Sequence, residues 1–229
     1  YIFPGTPAAG KIIPGDVIIS IDGHDIADDF TVEFRPKERT NLNYYIQKHQ
    51  IGENLKLTLL RNGKKHKIKL SLDTAWGNNY LVPSLRYDVR PTYFIYGGLV
   101  FCPLSLNYLM TWGKNWKSRA PGNLINFVMN SEPTVKGEKV VIISKVLQSE
   151  LNNGYQDYTD ERIVEVNGKK IKNLKELVYI IENNKDQQYV IFKTKSRKII
   201  CFDREKVKAE QPQILKTYQI PKDRSEDLL

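Results

Sequence analysis

Three histidines, two cysteines and three runs of lysine are the side chains of this 229-residue sequence whose types could do chemistry. His24, His49 and His66 fall on a turn, at a helix end and on a basic hairpin, where a surface or structural histidine is expected, so no catalytic residue is assigned. Cys102 and Cys201 lie far apart, each inside an apolar run. That placement predicts buried free thiols, and neither cysteine has the close pairing that a zinc or redox site needs. No metal and no cofactor is expected. The formal net charge of +9 raises the question of an anionic partner such as nucleic acid. The cations, however, sit in local clusters: Lys64, Lys65, Lys67 and Lys69, then Lys169, Lys170 and Lys172, then Lys193, Lys195, Arg197 and Lys198. Alternation along a strand suits a solvated face, and stacking aromatics do not interleave with these lysines, so no nucleic acid is expected as a partner.

The elements that would position any site come from an internal repeat. Val17 to Ile26 reads VIISIDGHDI and Arg162 to Ile171 reads RIVEVNGKKI. In both, an alternating apolar strand runs into Asp-Gly or Asn-Gly, the composition of a two-residue hairpin turn. A helical segment and two strands follow each copy. After the first copy, Thr40 to Lys48 sets Leu42, Tyr45, Ile46 and His49 on one helical face. Leu55 to Leu60 and Lys67 to Leu72 are then strands joined at Asn62-Gly63. After the second copy, Asn173 is the N-cap of a helix to about Asn183 with the stripe Leu174, Leu177, Val178 and Ile181. Strands Tyr189 to Phe192 and Lys198 to Phe202 complete it. Tyr93 to Leu104 is a nearly continuous apolar run broken by Gly97-Gly98, and after Pro212 a short helix is expected at Ile214 to Tyr218.

The fold class expected is α+β, mostly β. It comprises a first domain at 1–73, a linker at 74–92 that holds Trp76-Gly77-Asn78-Asn79, and a second domain at 93–229 enlarged by an insertion at about 107–137 that includes a helical segment at Asn123 to Met129. A hydrophobic content of 41% against 27% charged residues fits a globular chain. No apolar run reaches the roughly 20 residues of a membrane helix, so no membrane span is expected. The chain starts at Tyr1 without a signal-peptide pattern and reads as a fragment of a longer protein.

The string TPAAGKIIPGDVIISIDGHDI from Thr6 to Ile26, followed by a helix and the LTLLRNGKKHKIKL hairpin, resembles the first PDZ domain of Deg/HtrA serine proteases. Tyr96-Gly97-Gly98-Leu99-Val100-Phe101, then Pro103-Leu104, VLQSELNNGY and VNGKKIKNLKELV, is similar to the enlarged second PDZ domain of the plant-type Deg group. The resemblance covers essentially the whole chain. It implies two small antiparallel β-sandwiches or partly open barrels capped by helices, with a trypsin-like protease domain upstream. The nucleophile motif of such a domain, Gly-Asn-Ser-Gly-Gly, is absent here.

PDZ domains bind by strand addition, and a terminal carboxylate rests on backbone N–H groups of a glycine-containing loop. The resemblance therefore implies a peptide site at Tyr96, Gly97, Gly98, Leu99, Val100 and Phe101, faced by Leu174, Leu177, Val178 and Ile181. In the first domain Leu42, Tyr45 and Ile46 would form the helix side, with the carboxylate loop expected before Tyr1. Two readings of Gly97-Gly98 stand open: a ligand loop, or a tight bend with ordinary core around it. The resemblance also implies that such a second domain serves oligomer contacts with its groove filled by the protein itself, and Tyr108, Trp112 and Trp116 are the candidates for that contact. The Asp227-Leu228-Leu229 end is either a docking tail or a frayed terminus. The partners implied are polypeptide segments or unfolded protein substrates, the upstream protease domain and further copies in a homo-oligomer concerned with protein quality control. A bacterial periplasm or cell envelope and a eukaryotic organelle are both compatible compartments. A free-standing PDZ scaffold or adaptor is the alternative function.

Overall fold

The computed structural model describes residues 1–73 and 79–229, which form two units, Tyr1–Asn79 and Tyr80–Leu229. Of the expected connector at 74–92, Thr74 to Asn78 lie outside the described residues. Leu81 and Val82 are buried in the core of the second unit.

In the first unit, β1 (Val17–Ile21) turns at Asp22-Gly23 into β2 (His24–Asp25). Both turn residues have positive φ, 48° and 87°, the requirement that Asp-Gly meets. A hairpin of β3 (Thr31–Arg35) and β4 (Glu38–Asn41) follows, then α1 (Asn43–Gln47), β5 (Asn54–Arg61) and β6 (Lys64–Ser71). The sheet order is β2-β1-β5-β6. Along β5, Leu55, Leu57 and Leu59 point inward and join Ile21, Val32, Tyr45 and Leu70 in the core, each full burial contributing about 1.5–3 kcal/mol. Thr40 and Asn41, expected in a helix, belong to β4. The Arg39 guanidinium donates to Thr31 O at 2.8 Å and so ties β4 to β3, which leaves five residues for the helix. Thr6 to Gly10 is a turn.

The second unit begins with β7 (Phe94–Tyr96) and β8 (Leu99–Pro103). Short helices α2 (Leu106–Leu109), α3 (Trp116–Arg119) and α4 (Gly122–Met129) come next. The chain continues through β9 (Val141–Val146), β10 (Arg162–Val166), β11 (Lys169–Lys170), α5 (Leu174–Asn183), β12 (Tyr189–Thr194), β13 (Ile199–Asp203) and α6 (Arg204–Thr217). The sheet runs β13-β12-β10-β9-β8-β7, with β11 on β10. Asn173 caps α5 as expected, its Oδ1 accepting the Glu176 N–H at 3.0 Å.

Two cores explain the unbroken apolar run. Leu99, Phe101, Val141 and Ile143 face α5 and the β12–β13 aromatics, whereas Leu104, Val140 and Ile142 face the α2–α4 helices. Strands buried on both faces read as continuous hydrophobic sequence. Two expectations are corrected. Cys201 is exposed, because β13 alternates and Ile200 and Phe202 take its inner positions, while Cys102 is half-buried. The final helix is fourteen residues long and runs through Pro212, with Asp203 as its N-cap accepting the N–H groups of Glu205 and Lys206.

Candidate peptide-binding site

Tyr96, Gly97, Gly98 and Leu99 form the tight turn of the β7–β8 hairpin, Tyr96 opposite Leu99. The glycines have φ of 57° and 80°, so both lie in the left-handed region that glycine alone enters without strain. β8 is paired on one side by β7 and on the other by β9, so neither of its margins is open to a ligand strand. The turn is equally engaged. Gly97 N–H donates to Gln211 Oε1 at 3.0 Å, and Gln211 Nε2 donates to Ile95 O at 2.7 Å. Asn152, fully buried, donates to Gly97 O at 2.9 Å and Leu147 O at 2.7 Å and accepts from Ser149 N–H at 3.1 Å. Leu147 N–H donates to Gly98 O at 2.8 Å. A Cβ on Gly98 would run into Leu147 O and the Asn152 amide.

The outer margin of β7 is taken as well. Ile95 N–H donates to Asp223 O at 2.7 Å and Ser225 N–H donates to Tyr93 O at 3.0 Å, with a bridge between Phe94 and Arg224. The Arg224 guanidinium lies 5.0 Å from the Phe94 ring centroid and pairs with Glu182 of α5 at 2.5 Å and Asp223 at 3.0 Å. The tail is therefore docked on its own domain: Asp227 Oδ2 accepts the Thr92 hydroxyl at 2.6 Å, and Leu228 packs on the core. At the opposite edge of the sheet one side chain covers β13, the Tyr155 hydroxyl accepting from Cys201 N–H at 3.1 Å and donating to Cys201 O at 3.3 Å.

The site residues expected in the second unit are brought together as core. Tyr96, Leu99, Phe101, Leu174, Leu177, Val178 and Ile181 share one cluster. Burial pushes the Tyr96 phenol up to about 12. Val100 points to the other side, with Ile95, Leu147 and Ile214. In the first unit Tyr45 is buried, stacked on His24 at 4.1 Å with its hydroxyl donating to Glu33 O at 3.0 Å, while Leu42 and Ile46 are half-buried against the same core. β1 is paired by β5, but beside Val17 and Ile18 no second strand stands among the described residues. The equivalent Arg162 and Ile163 of β10 are covered by Ile142 and Val141 of β9. Tyr108, Trp112 and Trp116 are partly buried in the helical core, and the Tyr108 hydroxyl donates to Asp160 Oδ1 at 2.7 Å.

Sequence reasoning missed Asn152, Gln211 and the segment at 223–225, which engage the β7–β8 turn and the outer margin of β7. Each makes a contact with a residue 55 to 132 positions away, and a polar residue in a loop or on a helix gives no local sign of such a contact.

A family model described as a PDZ domain matches residues 82–227, and a second PDZ-domain model matches residues 2–72. The chain belongs to the PDZ family. This PDZ pair is 33% identical over 213 residues to the putative protease Do-like 3, mitochondrial, of Arabidopsis thaliana, covering 93% of the pair and 36% of the relative. Protease Do-like 2, chloroplastic, of the same organism is 31% identical over 226 residues, 99% of the pair and 36% of that protein. A Plasmodium falciparum serine protease DegP homolog is 31% identical over 170 residues, 74% of the pair and 18% of that protein. The pair thus spans about a third or less of the length of these curated relatives and is homologous to the PDZ-bearing part of Deg/Do-like proteases. Among the described residues no helix is long and apolar enough to cross a membrane.

Proposed function

We propose that this PDZ pair is the peptide-recognition and oligomer-assembly module of a Deg/HtrA-type serine endopeptidase and regulates access of unfolded polypeptide to an upstream protease domain. The observation that supports it is homology to Do-like proteases over 93% to 99% of the chain. The geometry favours a division of labour. With β8 closed on both sides, the second domain serves assembly, using the outward parts of Tyr108, Trp112 and Trp116 and the exposed Met110 beside them in sequence. Recognition falls to the first domain, where Leu42, Tyr45 and Ile46 line the helix side of a groove completed by residues before Tyr1. In the second domain the residues from Tyr96 to Phe101 and the α5 stripe hold a peptide-like strand, β7, supplied by the chain itself.

The test is made on the parent protein. Its sequence before Tyr1 is expected to hold a serine nucleophile motif with a distant His and Asp; if no protease domain precedes this segment, the scaffold reading replaces this one. With the parent in hand, fluorescence anisotropy of labelled peptides should report binding that Leu42→Asp abolishes. Binding that survives Leu42→Asp, and is lost only with changes at Gly97 or Gly98, would overturn the division of labour.

A further inference from the structure

A cavity of about 390 Å³ lies on the outer side of the second domain, between the 83–92 segment and α2. Its polar wall carries Arg86, Arg90 and Lys139, and no Asp or Glu lines it. In two other clefts of the domain cations and acids stand together. Glu182, Glu205 and Asp223 accompany the cations beside α6, and Glu138, Glu165 and Glu176 accompany those on the β10–β12 face. Among the described residues Arg86 and Arg90 make no ion pair. The Lys139 ammonium donates to Tyr80 O. Burial, and then the Arg86 charge, hold its pKa below the usual lysine range.

The remaining wall adds no negative charge at neutral pH. Burial pushes the Cys102 thiol up to about 11 and raises the Tyr108 phenol well above its ordinary value. Two carboxylates stand behind that wall and accept hydrogen bonds from it: Asp160 from the Tyr108 hydroxyl at 2.7 Å and Asp227 from the Thr92 hydroxyl at 2.6 Å. The Ser105 hydroxyl accepts the Tyr108 N–H at 3.2 Å and keeps its own proton to donate. Arg86 and Arg90 stand in a concavity that no carboxylate lines, and an anion that enters it is attracted by their charge. Guanidinium forks match the tetrahedral oxygens of phosphate, and three cations suit a dianion better than a monoanion. The volume falls in the range of small-molecule sites.

We propose that this cavity is a binding site for a small phosphate-class dianion, inorganic phosphate or a phosphate monoester, held by Arg86, Arg90 and Lys139 with Ser105. The site is independent of the protease reading and distinct from the peptide groove. Isothermal titration of the full 229-residue chain with inorganic phosphate, at ionic strength held constant with chloride, is expected to give one site. Acetate should bind at least tenfold more weakly. Arg86 and Arg90 are exposed, so Arg86→Gln and Arg90→Gln leave the fold intact, as circular dichroism would verify. Each should weaken phosphate binding about tenfold. No heat of binding with the unaltered chain, equal binding of acetate, or binding unchanged in the double variant would overturn the proposal.

Discussion

The two sheets start from the same repeat and end differently. In both, an acid just before the central strand is clamped by a cation from the following hairpin: Asp16 by Arg61 at 2.6 Å, Glu161 by Lys198 at 2.9 Å. Both central strands then turn through Asp-Gly or Asn-Gly into a two-residue partner. Beyond the repeat they diverge, since β10 continues into β9, β8 and β7 whereas β1 stops at Val17 and Ile18. The difference teaches that whether a strand margin is paired is a property of what lies outside the repeated unit. The repeat supplies a scaffold; flanking chain decides whether its margin is open or filled.

Substitutions in the closed β7–β8 turn test that contrast most sharply. Gly98→Ala should cost about 3 kcal/mol or more in urea denaturation, since a Cβ there meets backbone and a buried amide at positive φ. The matching change in the repeat, Gly168→Ala, has open space around it and should cost about 1 kcal/mol. Equal losses would mean that the closed turn is not tightly packed. Asn152→Ala strips Gly97 O, Leu147 O and Ser149 N–H of their partner and should cost about 3 kcal/mol by the same measurement. Gln211→Ala should be milder, about 1–2 kcal/mol, and should speed hydrogen exchange at Gly97 selectively. Unchanged protection there would remove Gln211 from the closure.

The smallest effect belongs to the first unit. His49 sits between Asp22 at 2.6 Å and Glu53 at 3.0 Å. The Asp22 hydrogen bond raises its pKa above 6.5 against the opposing effect of desolvation. Burial alone would raise the Asp22 carboxyl, but the His49 and Lys56 hydrogen bonds outweigh it and hold it below 3.8. The His49 contribution is thus fully present below pH 6.5 and lost as pH rises through the higher folded value, while the Asp22 contribution is present above pH 3.8 and lost on acidification below it. The pair should contribute less than about 1 kcal/mol. NMR titration of His49 in Asp22→Asn should return it toward its ordinary range, and an unmoved value would dissolve the pair.

What could be read from sequence was local. Asp22-Gly23, Asn62-Gly63 and Asn167-Gly168 declared their hairpins because positive φ restricts the residue types, and the α5 stripe declared its helix by period. Of the helices without a counterpart in the repeat, α4 was read as a helical segment at Asn123 to Met129, whereas α2 and α3 were visible only as inserted sequence. Thr40 was misassigned because a helical spacing at Leu42, Tyr45 and Ile46 was extended into a strand tied down by Arg39. Pro212 hid the length of α6, since a proline reads as a boundary. The resemblance pointed to Tyr96 to Phe101 and the α5 stripe but not to their burial, because a core strand and a strand that lines a groove share the same apolar composition.

The clasp between Tyr93 and Ser225 joins residues 132 apart. During synthesis the β7 hairpin leaves the ribosome early and waits, one hydrogen-bonding edge bare, for almost the entire remainder of its unit to emerge. Non-local closures of this kind are slow and expose sticky edges while they are pending. Nascent chains of this protein should therefore depend on a chaperone, or on rapid translation, over that interval.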